Sequence, residues 1–285
     1  MLYNHEMFTK PKINSVSGGR FRLDGGSMFG LVPKTLWQRQ TPADDRNRID
    51  LDTNCLLVRT ANKLVLIDTG YGGKATEKER DIFALDDGSP LLTNLAEQNV
   101  SPDDIDIVVL THLHFDHAGG CTTGVNGKLQ PTFPNARHFA QRTEWEDATS
   151  GRAELAGTYI EQHYVPLEEA GQLELIDGDT EIVNGISTQL TGGHTRGHQA
   201  ILIGGDDYRA VYPADISPTT AHLRAMWGMA YDQFPLDVRS VKPELLGEAA
   251  DRQWLVLFAH DPNVKAAYIQ RDEKKEFVVS DIVEL

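Results

Sequence analysis

Residues 112–117 of this chain hold three histidines and an aspartate (His112, His114, Asp116 and His117), and Ala118, Gly119 and Gly120 follow at once. The stretch just before them, residues 105–110, is strongly apolar and reads as a buried strand. Nitrogen and oxygen donors packed this densely at the end of a strand suit a metal ion, and a fold has no need of three imidazoles there. Alternate side chains of an extended segment point the same way, so His112 and His114 can converge on one ion. Asp116 and His117 then face a neighbouring point as the chain turns into a helix. So short a run does not wrap four groups around a single tetrahedral ion, and two adjacent ions are expected. Each needs further ligands from later in the chain. The candidates are His194, Asp215 and His260, each of which follows a short apolar strand-like run, as the first motif does.

The rest of the chain narrows the reading. Its 285 residues contain no Pro/Gly/Ser linker and no low-complexity stretch, and the candidate ligands span 112–260. A single domain over 1–285 is therefore expected, built from two strand-and-helix halves at about 1–165 and 173–285. Strands alternating with helices indicate an α/β layered fold. A formal charge of −15, from 42 acidic and 27 basic residues, argues against a nucleic-acid partner. No apolar run reaches the roughly 18 residues of a membrane span, and residues 1–6 carry no leader signature. A cytoplasmic protein is expected. Cys55 reads as a small buried hydrophobe in a strand; Cys121 is ambiguous, with a ligand role disfavoured. His5, His138 and His163 have no partners at ligand spacing and read as surface or structural residues.

The ordered set His112, His114, Asp116, His117, His194, Asp215 and His260 resembles the metallo-β-lactamase superfamily. Residues 66–70 (LIDTG) and 193–198 (GHTRGH) add to the likeness. The resemblance implies a four-layer αβ/βα sandwich with the metals at one edge between two sheets. It also implies one zinc on His112, His114 and His194, a second on Asp116, His117 and His260, and Asp215 between them. Other divalent ions such as cobalt, manganese or iron would suit the same ligands. The expected chemistry is hydrolysis by a metal-bridging hydroxide, with Asp116 carrying a proton to the leaving group. Asp68 is read as accepting an N–H from a ligating imidazole, the alternative being a plain turn aspartate. His198 is not assigned to metal.

Residue identities separate the branches of the superfamily. The diiron redox branch usually has Glu where His114 stands, and the β-lactamases with a Cys ligand have it where Asp215 stands. Glyoxalase II carries a helical C-terminal extension, whereas the residues after His260 read as strand. Residues 25–30, 215–223 and 227–232 resemble quorum-quenching N-acyl homoserine lactonases and the related methyl-parathion-type hydrolases. The expected function is therefore a lactonase with esterase and phosphotriesterase side activity. One alternative is an enzyme acting primarily on organophosphates or aryl esters. Another is a mononuclear iron persulfide dioxygenase using His112, His194 and Asp215. The better-known lactonases have a Tyr where Pro218 stands, and His222 is the candidate to take over its hydrogen bond to substrate, the alternative being an unrelated loop histidine. Met28, Phe29, Leu31, Trp37, Met226 and Trp227 are candidates to line a pocket for an acyl chain or aryl ring. A homodimer through the apolar N-terminal segment is expected.

Overall fold

The computed structural model describes residues 11–205 and 208–285; His5 and the leader reading of residues 1–6 lie outside them. In chain order β1 (Lys12–Asp24), β2 (Arg48–Arg59), β3 (Leu64–Ile67) and β4 (Ile107–Val109) lie side by side, β5 (Thr122–Val125) and β6 (Lys128–Pro131) pair as a separate hairpin, and β7 (Arg137–Gln141) and β8 (Leu173–Ile176) complete the first sheet. Its first three strands pair antiparallel and the remainder parallel. The second sheet takes β9 (Thr180–Val183), β10 (Ile186–Leu190), β11 (Gln199–Gly205), β12 (Tyr208–Tyr212), β13 (Leu255–Leu257), β14 (Ala266–Asp272) and β15 (Glu276–Val283). Within it only β12 and β13 run parallel.

The two-residue period of the strands sorts their side chains into layers. Leu56, Val58, Val65 and Val109 face Ile201, Ile203, Tyr212 and Leu257 across the space between the sheets. Their chain neighbours Cys55, Leu57, Leu66 and Val108 point outward onto Leu91 and Leu95 of the helix Pro90–Glu97. On the opposite side Val211, Val256 and Ile269 pack against Leu245, Leu246 and Ala249 of the helix Pro235–Asp251. The order helix, sheet, sheet, helix is a four-layer αβ/βα sandwich.

Polar groups join the sheets at one edge. Gln199 N donates to Thr111 O at 3.0 Å and Asn54 N to Ala259 O at 2.7 Å. The Asn54 side chain donates to Phe258 O and Asp261 O at 2.8 and 2.9 Å. Each of these buried groups finds a partner on the other sheet, which fixes the relative position of the ends of β4 and β13.

The boundary between the halves differs from the reading of the sequence. β8 pairs with β7 in the first sheet, so the halves meet after Ile176, in the turn before β9, instead of near 165–173. The helix that begins at Arg142 stops at Ala148. Thr149 and Ser150 donate back to Trp145 O and Asp147 O at 2.8 and 2.7 Å, ending the helical ladder, and Gly151 leaves it with a φ of 68°. After β1 the chain enters a short helix, Gly25–Phe29, capped by Asp24.

Candidate metal centre and active-site cavity

The candidate ligands come from strand ends that share the polar edge. His112 and His114 follow β4, and Asp116 and His117 lie on the single helical turn Phe115–Ala118. His194 follows β10, Asp215 follows β12 and His260 follows β13. The loop before His194 turns through Gly193, whose φ is 82°. A Cβ there would lie 3.1 Å from Val238 N and 2.8 Å from its Cγ2, so only glycine fits.

Four of the imidazoles are aimed by what holds their outer nitrogen. His117 Nδ1 stands 2.8 Å from Asp68 Oδ2, and His194 Nδ1 stands 2.9 Å from Asp232 Oδ1. His260 Nδ1 lies 2.9 Å from Asp52 O, and His112 Nδ1 lies 3.1 Å from the Thr111 hydroxyl. Each ring therefore turns Nε2 inward, which fixes the tautomer as well as the direction. Asp68 is itself braced, accepting Thr111 N at 2.8 Å, and it takes a φ of 56°, rarely entered by residues other than glycine.

The inward atoms form two clusters around one carboxylate. Asp215 Oδ2 lies 3.2 Å from His194 Nε2 and 3.9 Å from His112 Nε2. Its Oδ1 lies 3.1 Å from His260 Nε2 and 3.4 Å from His117 Nε2. Asp116 Oδ2 is 3.6 Å from His260 Nε2. Donor atoms of His112, His114 and His194 lie within 4.8 Å of one another, as do those of Asp116, His117 and His260, and of His112, His117 and Asp215.

The donor set fits divalent cations. Nε2 of His117 and of His260 are only 3.1 Å apart, and each ring's outer nitrogen is already spent on an acceptor. With both N–H protons pointing outward, two lone pairs face each other, an arrangement that a cation stabilises. His112 Nε2 and Asp215 Oδ1 are buried without any hydrogen-bond partner. Burial also pushes His112 and His114 well below the usual histidine range, so both present lone pairs at neutral pH.

A cavity of about 430 Å³ opens onto this edge and reaches His114, Asp116, His194, Asp215 and His260. Its other walls are largely apolar, with Met28, Phe83, Phe115 and Ile160 among them. Phe83 stacks on Phe115 with ring centroids 5.2 Å apart. Such a concave, mostly apolar space ending in convergent polar groups is the usual form of a small-molecule site.

Residues 48–260 match the family described as Metallo-beta-lactamase superfamily. The chain belongs to it. Among curated relatives, an N-acyl homoserine lactonase of Bacillus cereus is 31% identical over 205 residues, covering 68% of this chain and 71% of that protein. A probable metal-dependent hydrolase from Staphylococcus aureus superposes with a TM-score of 0.86 at 35% identity, covering 97% of this chain and 99% of the other. An N-acyl homoserine lactone hydrolase, solved with the product N-hexanoyl-L-homoserine at its catalytic metal centre, gives a TM-score of 0.69 at 25% identity over 90% and 95% of the two chains. Like these superfamily members, the protein is a metal-dependent hydrolase.

Against this superfamily frame, several residues stand elsewhere than expected. His222 does not reach the cavity. It is fully buried, its Nε2 is 2.8 Å from Met28 O, its Nδ1 is 2.8 Å from the Thr219 hydroxyl, and its ring stacks on Phe29 at 4.6 Å. With both nitrogens engaged it supports the segment carrying Met28 and has none free for substrate. Of the expected pocket residues, Met28 lines the cavity. Phe29 is stacked between His222 and Trp37, with Trp227 at its edge, in a closed aromatic cluster behind that wall. Met226 and Leu31 are exposed, outside the cavity. Pro218 contributes its carbonyl, which accepts His260 N at 2.8 Å. His198, left off the metal, accepts Asp215 N at its Nε2 (3.2 Å) and so holds the loop of the shared carboxylate.

Other residues at the site escaped sequence reasoning. Asp232 orients His194 from 38 residues away, with no spacing signal to connect them. Glu144 is wholly buried, and its Oε1 accepts Leu113 N at 2.9 Å while its Oε2 accepts the Thr195 hydroxyl at 2.6 Å. It thereby clamps together the loops of His112–His114 and His194. Tyr231 lines the cavity, and burial raises its phenol, which stays protonated at neutral pH. His163, read as a surface or structural residue, is buried and also lines the cavity.

Proposed function

We propose that this hydrolase opens the ring of N-acyl homoserine lactones and that it does so with two Zn²⁺ ions. His112, His114 and His194 would hold one ion, Asp116, His117 and His260 the other, and Asp215 would bridge them. The observation that carries this reading is the division of Asp215, with one oxygen toward His112 and His194 and the other toward His117 and His260. When bound, two such cations would supply hydroxide at neutral pH and would polarise the scissile carbonyl.

The remaining work falls to the chain. The apolar wall of Met28, Phe83, Phe115 and Ile160 suits an acyl chain and excludes water from it. Asp116 lines the cavity and faces His260, which supports a role in passing a proton to the leaving ring oxygen. Tyr231 offers a protonated hydroxyl at the same wall and can make the hydrogen bond to substrate that His222, with both nitrogens engaged, cannot. The similarity to curated lactonases supports the substrate class. The stacked Phe83–Phe115 pair favours a second reading, aryl esters or phosphotriesters as side or principal substrates. A mononuclear iron dioxygenase needs only His112, His194 and Asp215 and leaves the second donor set without purpose. Leu31 and Leu36 stand exposed beside the segment carrying Met28, and a homodimer through this face belongs to the proposal.

The test is to compare purified zinc-loaded protein on N-hexanoyl homoserine lactone, an aryl ester and a phosphotriester. Chelator-sensitive ring opening with the highest kcat/KM on the lactone is expected. Faster turnover of the phosphotriester or aryl ester would replace the principal substrate, and no hydrolysis of any of them would contradict the reading.

A further inference from the structure

Lysines drawn out of water in this acidic protein differ in what answers their charge. Lys265 Nζ lies 2.7 Å from Asp52 Oδ2. Lys242 is buried, and the carboxylates of Asp232 and Glu276 favour its charged form. Lys74 is half-buried in the cavity wall, and among the described residues no carboxylate pairs with it. Its ammonium donates to two neutral groups, Gly119 O at 2.5 Å and Thr122 O at 2.6 Å. The side chain that favours its charge is the Cys121 thiol, which burial pushes up to about 12 and so keeps neutral. A charge taken from water is ordinarily paired, and here the partner is missing from the chain itself.

We infer that Lys74 is a specificity-determining residue that binds a carboxylate carried by the acyl chain of the substrate. The inference rests on the lactonase reading and adds to its substrate class lactones whose acyl chain ends in an anionic group.

Three features support the assignment. An ammonium has three N–H donors, and the two carbonyls take two of them, which fixes its place and leaves one donor and the whole charge for a ligand. Burial lowers Lys74 to about 8, so the group stays mostly cationic at neutral pH. The wall around it supplies no competing anion. Glu79 lines the cavity as well, but its Oε2 accepts Thr76 N and the Thr76 hydroxyl at 2.7 and 2.8 Å, capping its own helix. Lys78, exposed on the same wall, adds a second positive charge. Between Lys74 and the ligand edge the cavity offers the hydrocarbon of Phe83, Phe115 and Ile160, which suits a run of methylenes ending in a charged group. A carboxylate there replaces its hydration with a charge-assisted hydrogen bond in a largely apolar setting, where such a bond is strong. The net charge of −15 gives anions no general advantage, so discrimination falls to this local cation.

The experiment measures kcat/KM of the zinc-loaded protein for N-succinyl, N-adipoyl and N-suberoyl homoserine lactone, each against its terminal carboxamide, which keeps the shape and loses the charge. Wild type, Lys74→Met, Lys74→Gln and Lys74→Arg are compared, with circular dichroism and zinc content confirming that each is folded and loaded. At the chain length that reaches Lys74, the wild type is expected to favour the carboxylate by about 10-fold, the worth of one charge-assisted hydrogen bond. Lys74→Met is expected to bring that ratio to one or below, and Lys74→Arg, which keeps the charge, to restore part of the preference. If Met does not fold, Gln, which is neutral and can still donate to a backbone carbonyl, takes its place. Turnover of the carboxamides with a carboxylate ratio of one or less at every length overturns the inference alone, as does a preference that the neutral variants leave unchanged. Turnover of no lactone, neutral ones included, overturns the lactonase reading and the inference together.

Discussion

Asp232 Oδ1 lies 2.9 Å from Nδ1 of His194, while its Oδ2 accepts the backbone N–H of Met229 at 2.9 Å. One carboxylate thus fixes a candidate ligand and the turn leading to the cavity residues Met229 and Tyr231. An amide in its place has a single acceptor oxygen for two donors. Asp232→Asn is therefore expected to weaken metal binding by about 10- to 100-fold, the usual effect of losing such a partner. Competition against a chromophoric chelator measures this directly. Unchanged affinity would show that the contact does not orient His194.

The surroundings of His222 make a different kind of prediction. His222→Ala removes two hydrogen bonds and the ring stacked on Phe29, leaving a cavity in a closed aromatic cluster. A loss of about 2–4 kcal/mol in stability is expected, in the range of large-to-small core substitutions. Turnover measured well below the melting temperature is expected to stay within about tenfold of the wild type. Chemical denaturation and steady-state kinetics on one preparation test both statements. A collapse in kcat with unaltered stability would return His222 to the reaction.

His138 gives the fold a pH dependence independent of the candidate ligands. It is fully buried in β7, neither ring nitrogen has a hydrogen-bond partner, and burial pushes it down to about 4 from an ordinary value of 6.5. Between those values the unfolded chain binds the proton and the folded chain does not, so stability rises with pH across that window. It is lost as pH falls from about 6.5 to about 4, by roughly 3 kcal/mol for a shift of this size. Urea unfolding of wild type and His138→Leu, both with chelator, isolates the contribution. The stability difference between them is expected to change in favour of the variant as the pH drops, and parallel curves would contradict the assignment.

How much of this was legible in the sequence depends on how far apart the cooperating residues lie. His112 to His117 announce themselves because their spacing is local and follows a strand. His194, Asp215 and His260 repeat that strand-end logic. The layers follow from alternation, as in Leu56 and Leu57, which face opposite sides of one sheet. Asp232 and Glu144 were not legible, because a carboxylate that braces an imidazole or joins two loops has no local pattern; only the closed fold brings them there. The place of His163 in the cavity wall was not legible for the same reason, its position being set by the turns that follow Ala148. The aromatic residues Phe29, Trp37 and Trp227 have the composition of a pocket wall but pack on one another behind it.

The central claim is a two-cation centre built on both oxygens of Asp215. Stepwise addition of Zn²⁺ to chelator-treated protein, with bound metal and hydrolysis of N-hexanoyl homoserine lactone followed in the same samples, tests it most directly. The account predicts binding that saturates at two zinc ions per chain, with full lactone hydrolysis reached only as the second ion binds. Saturation at a single ion per chain, or two bound ions with no lactone opened, would contradict it.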